Sequence, residues 1–343
     1  MSKVGIIANP ASGKDIRRLV SYATVISNTE KTDIVKRVIL GLDSVGVDEV
    51  LIMPDYYGLG IRALEALNHH PLSSKISFLD MEIEGTQEDS VQAAQRMRDS
   101  QVDCIVTLGG DGTNRVVSKT CGKVPLIPIS TGTNNVFPIM NEGTTAGMAA
   151  GILARKVVDE RMVTTTMKEL KLTGGGKEKD LALIDAVVVT ESFIGARALW
   201  DLQRVKQIFL TRAEPGSIGL SSIGVALQPV GVQDPFGLLI ELGPGGGKIR
   251  APIAPGLIPE IEVKSYRMLE PGEIIRVEIS PSIIALDGER EVEMNAADQF
   301  ELSLGMDGPK VGDIPKILQE ATKKGLFHVG GKWSKWGRHG IKS

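Results

Sequence analysis

The sequence predicts an α/β domain built on a parallel sheet, followed by a β-rich, sandwich-like domain. Three observations predict it. Through residues 1–155, short apolar runs alternate with segments of helical period, the signature of a parallel sheet with crossover helices. Three of the apolar runs end in polar loops rich in glycine, hydroxyls and amides. Beyond about residue 156 the composition shifts to glycine, proline and β-branched residues, and short strand candidates follow one another with turns between them.

Taken in order, Val4–Ala8 is a strand that breaks at Asn9-Pro10-Ala11-Ser12-Gly13-Lys14-Asp15. This loop is not a Walker A loop, because Ala8 stands near the place of that motif's first glycine and Asp15 replaces the Ser or Thr after the lysine. Two readings remain. It is an Asn-Pro turn with Ser12 capping the next helix, or it offers Asn9, Ser12 and the Gly13 amide to a phosphate. Helical spacing follows at Ile16, Leu19, Val20 and Ala23, then over Thr32–Leu42. Glu49–Met53 reads as a strand, Ile61–Leu67 as a helix and Ile76–Leu79 as a strand. Thr86-Gln-Glu-Asp89 has the form of a capping box opening a helix through Val91, Ala94 and Met97. His69 and His70 read as solvated residues at a helix end.

Cys104–Leu108 is the next strand, and it runs into Gly109-Gly110-Asp111-Gly112-Thr113-Asn114 and the helix-forming Arg115–Lys119. Strand, glycine turn and helix start make an anion site, since glycines admit close approach and the first helical N–H groups point at the ligand. A carboxylate there repels an anion unless it binds a metal, accepts a proton or contacts a ribose hydroxyl. Pro125–Ile129 is a further strand, and it ends in the uncharged loop Ser130-Thr131-Gly132-Thr133-Asn134-Asn135, suited to a ribose or phosphate. All three loops fall at strand carboxyl ends, where open α/β sheets bind ligands. Glu142–Ile152 reads as a helix of small residues.

In the β-rich part, Met167–Leu172 and Leu181–Thr190 are strands, with Gly174–Gly176 between them as a hairpin signal. Leu238–Leu242, Ile261–Met268, Glu273–Ile279, Ser282–Leu286 and Phe300–Leu304 follow, with one helical interruption over Ala196–Phe209. Asp287-Gly288-Glu289 is either a hairpin tip or a carboxylate pair that faces the Asp111 loop to hold magnesium or orient an acceptor. Residues 306–343 carry an amphipathic helix over Ile314–Lys324 and a basic end with Trp333 and Trp336, expected to pack back on the first domain.

The bulk numbers exclude several classes. A chain of 343 residues with 42% hydrophobic and 24% charged residues supports two domains with sizeable cores. Aromatics at 4% and a net charge of −3 argue against nucleic acid as a partner. No apolar run of roughly 18 residues predicts a membrane span, and no signal peptide precedes the first strand. Two cysteines, Cys104 and Cys121, fit a reducing cytoplasm.

Gly109-Gly-Asp-Gly-Thr113 after a strand, with Asn9-Pro-x-Ser-Gly13 at the start, resembles the superfamily of NAD kinases and diacylglycerol or sphingoid kinases. Ala251-Pro-Ile-Ala-Pro-Gly-Leu257 is similar to a stretch of the NAD kinases, and Ala285-Leu-Asp-Gly-Glu289 to their Asp-Gly-Gln turn, which is Asp-Gly-Glu in lipid kinases. Gly216–Ser221 is weakly similar to the Thr-Gly-Ser-Thr-Ala-Tyr segment. Ile184-Asp185 stands where NAD kinases carry Asn-Glu or Asn-Asp, Leu220 replaces their tyrosine, and Ser130–Asn135 is more like the lipid-kinase loop. This mixture resembles the NAD-kinase-like acetoin-catabolism X-type proteins.

The resemblance implies an ATP-dependent, magnesium-requiring kinase acting on a hydroxyl acceptor, NAD or a related nucleotide, with a lipid or small polyol, or a catalytically silent nucleotide-binding regulator, as alternatives. Asp111 is implied as the general base or orienting residue. Asn9, Ser12, Gly13, Gly109, Gly110, Gly112, Thr113, Asn114, Thr131, Gly132, Thr133, Asn134, Asn135, Asp185, Asp287 and Glu289 are implied as contacts to nucleotide, metal or acceptor. A cytoplasmic homo-oligomer is the expectation that goes with it.

Overall fold

Strand β1 (Lys3–Ala8) starts the α/β unit, and α1 (Asn28–Ser44) follows it. Ser27 and Glu30 form a reciprocal capping box that fixes where α1 begins. The computed structural model describes residues 1–12, 24, 26–190, 202–288, 290–295 and 298–328. The helix expected over residues 16–23, the tail tryptophans, Gly13 and Glu289 lie outside them. The unit continues with β2 (Glu49–Ile52), α2 (Leu59–Ala66), β3 (Lys75–Phe78), α3 (Gln87–Asp99), β4 (Cys104–Gly109), α4 (Asp111–Ser118), β5 (Leu126–Ser130) and α5 (Gly143–Ala154). Thr86 caps α3 through the Glu88 N–H, 3.2 Å away. The expected box is not formed, because the Asp89 carboxylate instead accepts the N–H groups of Glu84 and Gly85.

The five strands pair in parallel in the order β3-β2-β1-β4-β5. Alternation divides their side chains between two cores. Val4, Ile6, Cys104, Val106 and Leu108 face α1, α2 and α5, whereas Ile7 and Ile105 face α3 and α4. Helices α1 and α5 approach closely because glycines line the contact. A Cβ on Gly41 would run into the Thr144 carbonyl, and one on Gly147 into the Val38 carbonyl.

After α6 (Glu160–Val163) and β6 (Thr164–Thr166) the chain enters two antiparallel sheets. These are built from β7 (Glu169–Gly174), β8 (Lys177–Ala182), β9 (Asp185–Val189), β10 (Val205–Leu210), β11 (Gly237–Arg250), β12 (Glu260–Leu269), β13 (Ile274–Arg276), β14 (Ser282–Leu286), β15 (Arg290–Met294) and β16 (Phe300–Gly305), with α7 (Ser221–Leu227) between β10 and β11. A six-stranded sheet, β12-β11-β10-β9-β14-β15, packs on a four-stranded one, β13-β16-β7-β8. Ala186, Val188, Phe209 and Ile284 from the first meet Leu170, Leu172 and Leu302 from the second, a sandwich core. Val187, Val189, Ile208 and Leu210 point the other way, into a core that includes Ile223 of α7.

Two expectations are corrected. Val205–Phe209 is strand, not helix, since it pairs on both sides with β9 and β11. The apolar run Leu181–Thr190 is not one strand. It turns at Leu183-Ile184, whose N–H groups are drawn off to the Asp287 carboxylate.

The chain then returns. β17 (Lys310–Gly312) inserts between β5 and β6, parallel to the first and antiparallel to the second. α8 (Ile314–Lys323) follows, capped by Asp313, and buries Ile314, Ile317 and Ala321 in the core of the α/β unit.

The glycine contact between α1 and α5 makes a prediction. Gly147→Ala should lower stability by about 1–3 kcal/mol, because overpacking against a helix backbone cannot be relieved by a rotamer change. A shifted urea midpoint at unchanged m-value is the expected reading; an unshifted one would mean the helices can separate freely.

Candidate functional site

Parallel register brings three strand ends side by side. Ala8 pairs with Leu108, and Gly109 with Ser130. The loops that follow are tied to each other by side chains. Asn9 Nδ2 donates to Thr113 Oγ1 at 3.0 Å, and the Ser12 and Thr131 hydroxyls share a hydrogen bond of 2.9 Å. Lys31, fully buried, holds the first loop from beneath by donating to the carbonyls of Asn9, Pro10 and Ser12 at 3.1, 3.1 and 2.6 Å.

The glycines of the second loop are required by its packing. A Cβ on Gly109 would collide with the Thr113 side chain, and one on Gly110 would meet Asn135 Oδ1 at 2.8 Å. Asn114 is buried, with Oδ1 accepting from Thr107 Oγ1 at 2.6 Å and Nδ2 donating to the Gly110 carbonyl at 2.9 Å. Thr113 and Asn114 therefore brace the turn from within. What the turn offers is the backbone of its first helical residues, whose N–H groups have no partner within the helix. In the third loop, Asn135 Nδ2 donates to Ser130 Oγ at 2.8 Å, and Ser130 Oγ donates to the Gly132 carbonyl. Thr133 is exposed. Asn134 Oδ1 is buried with no hydrogen-bond partner.

Asp111 lies at the centre, half-buried at the start of α4. Its Oδ1 accepts from the N–H groups of Val136 and Phe137 at 3.0 and 2.7 Å. Burial and the neighbouring Asp287 charge push its pKa up to about 7, against the pull of those two amides and of Arg212. The β unit supplies the other wall. β10 and β14 both end beside the start of β9, with Leu210 paired to Asp185 and Leu286 to Ala186. Arg212 and Asp287 stand just beyond those ends.

Asp287 has φ 49°, a strained value for a non-glycine residue, and its carboxylate accepts from Leu183, Ile184 and Asp185 N–H at 2.8, 2.8 and 3.1 Å. It is therefore a buried brace for the β8–β9 turn, felt at Asp111 as a charge. Asp185 shares in this turn through its backbone. Phe137 packs with Leu181, Leu183 and Ile184 in an apolar plug at the junction of the two units.

Reading the sequence missed four residues. Lys31 sits one position before the expected helix. Arg115 is fully buried, with Nη1 on Asp180 Oδ1 at 2.9 Å and Nη2 on Gln87 Oε1 at 3.3 Å, so α4 is bolted to β8. Lys119 reaches the same oxygen of Asp180 at 2.6 Å. Arg212 donates from Nη2 to the Val136 carbonyl at 2.8 Å, and its guanidinium lies 5.5 Å from the Phe137 ring centroid. A charged residue two positions past the apolar run Ile208–Leu210 was the only signal for it.

The stretches Gly216–Ser221 and Ala251–Leu257 meet, with Gly219 N–H and Ser222 Oγ both donating to the Pro252 carbonyl. Among the described residues no three His, Cys, Asp or Glu side chains cluster as a metal cage, and no helix is long and apolar enough to cross a membrane.

These features define a protein of the NAD kinase-like class: residues 4–157 match the ATP-NAD kinase N-terminal domain. Residues 168–307 match the C-terminal domain of acetoin catabolism protein X. The chain belongs to the acetoin catabolism protein X family, being 41% identical over 335 residues to that protein from Cupriavidus necator, across 94% of this chain and 93% of the relative. Yeast NADH kinase, solved in complex with NADH, superposes with a TM-score of 0.48 at 13% identity, over 98% of this chain and 90% of that one.

The buried charges around the site have two measurable effects. Asp111 titrates higher when folded than when unfolded, so its contribution to stability is full below about pH 4 and is lost as pH rises through 7. Relative to Asp111→Asn, the wild type should lose up to about 1.4 kcal/mol per pH unit across that window in urea unfolding; parallel stability curves would contradict it. Asp180→Ala should cost on the order of 3–5 kcal/mol, because Arg115 is left buried without its carboxylate; a loss below about 1 kcal/mol would mean the pair is solvated.

Proposed function

We propose that this chain transfers a phosphoryl group from ATP to a hydroxyl of a small-molecule acceptor, NAD or a related nucleotide. The observation that carries the reading is the position of Asp111: a carboxylate titrating near neutrality, on the floor where three braced strand-end loops meet. Phosphoryl transfer asks a protein mainly for positioning and charge neutralisation. The glycine turn and the start of α4 provide amides for phosphate oxygens. The Ser130–Asn135 loop provides hydroxyl and amide groups, with Asn134 Oδ1 still lacking a donor that a ribose hydroxyl or an amino group would supply.

In the reaction, the acceptor oxygen bonds to the γ-phosphorus, the bond from that phosphorus to the bridging oxygen of ADP breaks, and the hydroxyl proton passes to Asp111. A carboxylate near pKa 7 is ionised in a useful fraction at neutral pH and basic enough to take that proton. The hydroxyl and carbonyl oxygens of the Ser130–Asn135 loop fit a hard cation that arrives with the nucleotide and keeps much of its water, as magnesium does. Such an ion would neutralise the phosphates when bound; the oxygens of the third loop would hold it, leaving Asp111 to take the proton.

A second reading is favoured by one observation. Two amides already occupy the Asp111 carboxylate, an arrangement that also suits a regulator that binds nucleotide without turnover. Incubation with ATP, magnesium and NAD, NADH, diols or lipids separates the two. Turnover that drops at least about a hundredfold in Asp111→Asn is the expected result. ATP binding without turnover of any acceptor would point to the regulator, and full turnover by Asp111→Asn would remove the base assignment.

A further inference from the structure

Among the described residues four cations are buried to nine-tenths or more: Lys31, Arg115, Lys168 and Arg212. Three are held by several acceptors each. Lys31 donates to three carbonyls of the first loop, and Arg115 to Asp180 and Gln87. Lys168 donates to the carbonyls of Gly231, Asp234 and Phe236 at 2.8–3.0 Å. Arg212 differs. It has one hydrogen bond, from Nη2 to the Val136 carbonyl; its Nε, like that of Arg115, is buried with no partner; and Glu214 Oε2 stands 3.8 Å from Nη1, beyond hydrogen-bond reach.

A guanidinium has five N–H donors, and leaving them unsatisfied in a buried place is unfavourable unless something else supplies the acceptors. The position says what that is. Arg212 grips the carbonyl of Val136, whose N–H is gripped by Asp111, so the two side chains stand on either side of one peptide segment. Burial works against the Arg212 charge, while Glu214, Asp111 and Asp287 all support it. No basic side chain is found among the described residues of the three loops themselves.

We infer that Arg212 is the cation that meets the phosphoryl group transferred beside Asp111. This rests on the kinase reading above and adds to it a catalytic residue from the β unit. The equatorial oxygens of the phosphoryl group would supply the acceptors that the guanidinium lacks, and Arg212 would carry the charge that an isolated carboxylate on that floor cannot. Glu214, half-exposed and 3.8 Å from Nη1, is the nearby charge with which the incoming oxygens would compete for the guanidinium.

Calorimetric titration with ADP alone and with ADP plus aluminium fluoride, both in magnesium, tests this on the full chain. The fluoride complex is a planar stand-in for the phosphoryl group. Wild type should bind it about ten- to a hundredfold tighter than ADP, the worth of one or two charge-assisted hydrogen bonds. Arg212→Met should abolish that gain at near-unchanged ADP affinity, Arg212→Lys should keep part of it, and Glu214→Gln should keep or increase it. A full gain in Arg212→Met with a wild-type melting temperature overturns the role of Arg212 and leaves the kinase reading intact. Should Arg212→Met not fold, a full gain in Arg212→Lys overturns it equally. A wild type that binds neither ligand sinks both.

Discussion

The peptide segment Val136–Phe137 is gripped from two sides, and the relation between the two halves of the molecule depends on that grip. Asp111, at the start of a helix of the α/β unit, holds its N–H groups. Arg212, at the end of a strand of the β unit, holds its carbonyl and lies over its ring. The Phe137 side chain completes the contact by plugging the turn between β8 and β9. Backbone hydrogen bonds, a cation over an aromatic face and apolar burial thus converge on two residues. None of these alone would fix the junction; together they set where Asp111 points.

Buried charge is used throughout as internal scaffolding. Lys31 and Lys168 each turn three N–H donors onto three carbonyls of a loop, a use for which the ammonium is suited because its donors rotate. Burial lowers the Lys168 pKa to about 8, the mark of an ammonium kept in place by dipoles with little help from carboxylates. Arg115 and Asp287 do the complementary work, one as planar fork to a carboxylate, the other as carboxylate to three amides. Loops without regular hydrogen bonding of their own are thereby held in one geometry.

Most of the strands were legible in the sequence because β-branched runs bounded by glycine or proline leave few alternatives. Gly109-Gly110-Asp111-Gly112 was legible for a similar reason: only glycine fits against Thr113 and Asn135. The break in Leu181–Thr190 was not, because it is imposed by Asp287, about a hundred residues further along. Nor was the burial of Arg115, whose carboxylate lies 65 positions away in Asp180. An arginine carries the same local pattern whether it ends in water or in a core. Thr113 and Asn114 illustrate the converse: the motif marks the turn in the sequence, but that both side chains brace it from within is visible only in the fold.

The placement of β17 between β5 and β6 has a consequence for how the protein is made. On the ribosome, β5 emerges early and the strand that covers its open edge emerges only after the whole β sandwich. Until then Leu126 and Ile127 border an unpaired edge, the kind of surface that recruits stray strands. The nucleotide-fold half is therefore not finished when its own stretch of chain has been translated. It closes last, when Lys310–Gly312 slots in and Ile317 docks, so a chain that stops short within the sandwich would leave both halves incomplete. Topology alone makes completeness of the polypeptide a condition for assembling the site.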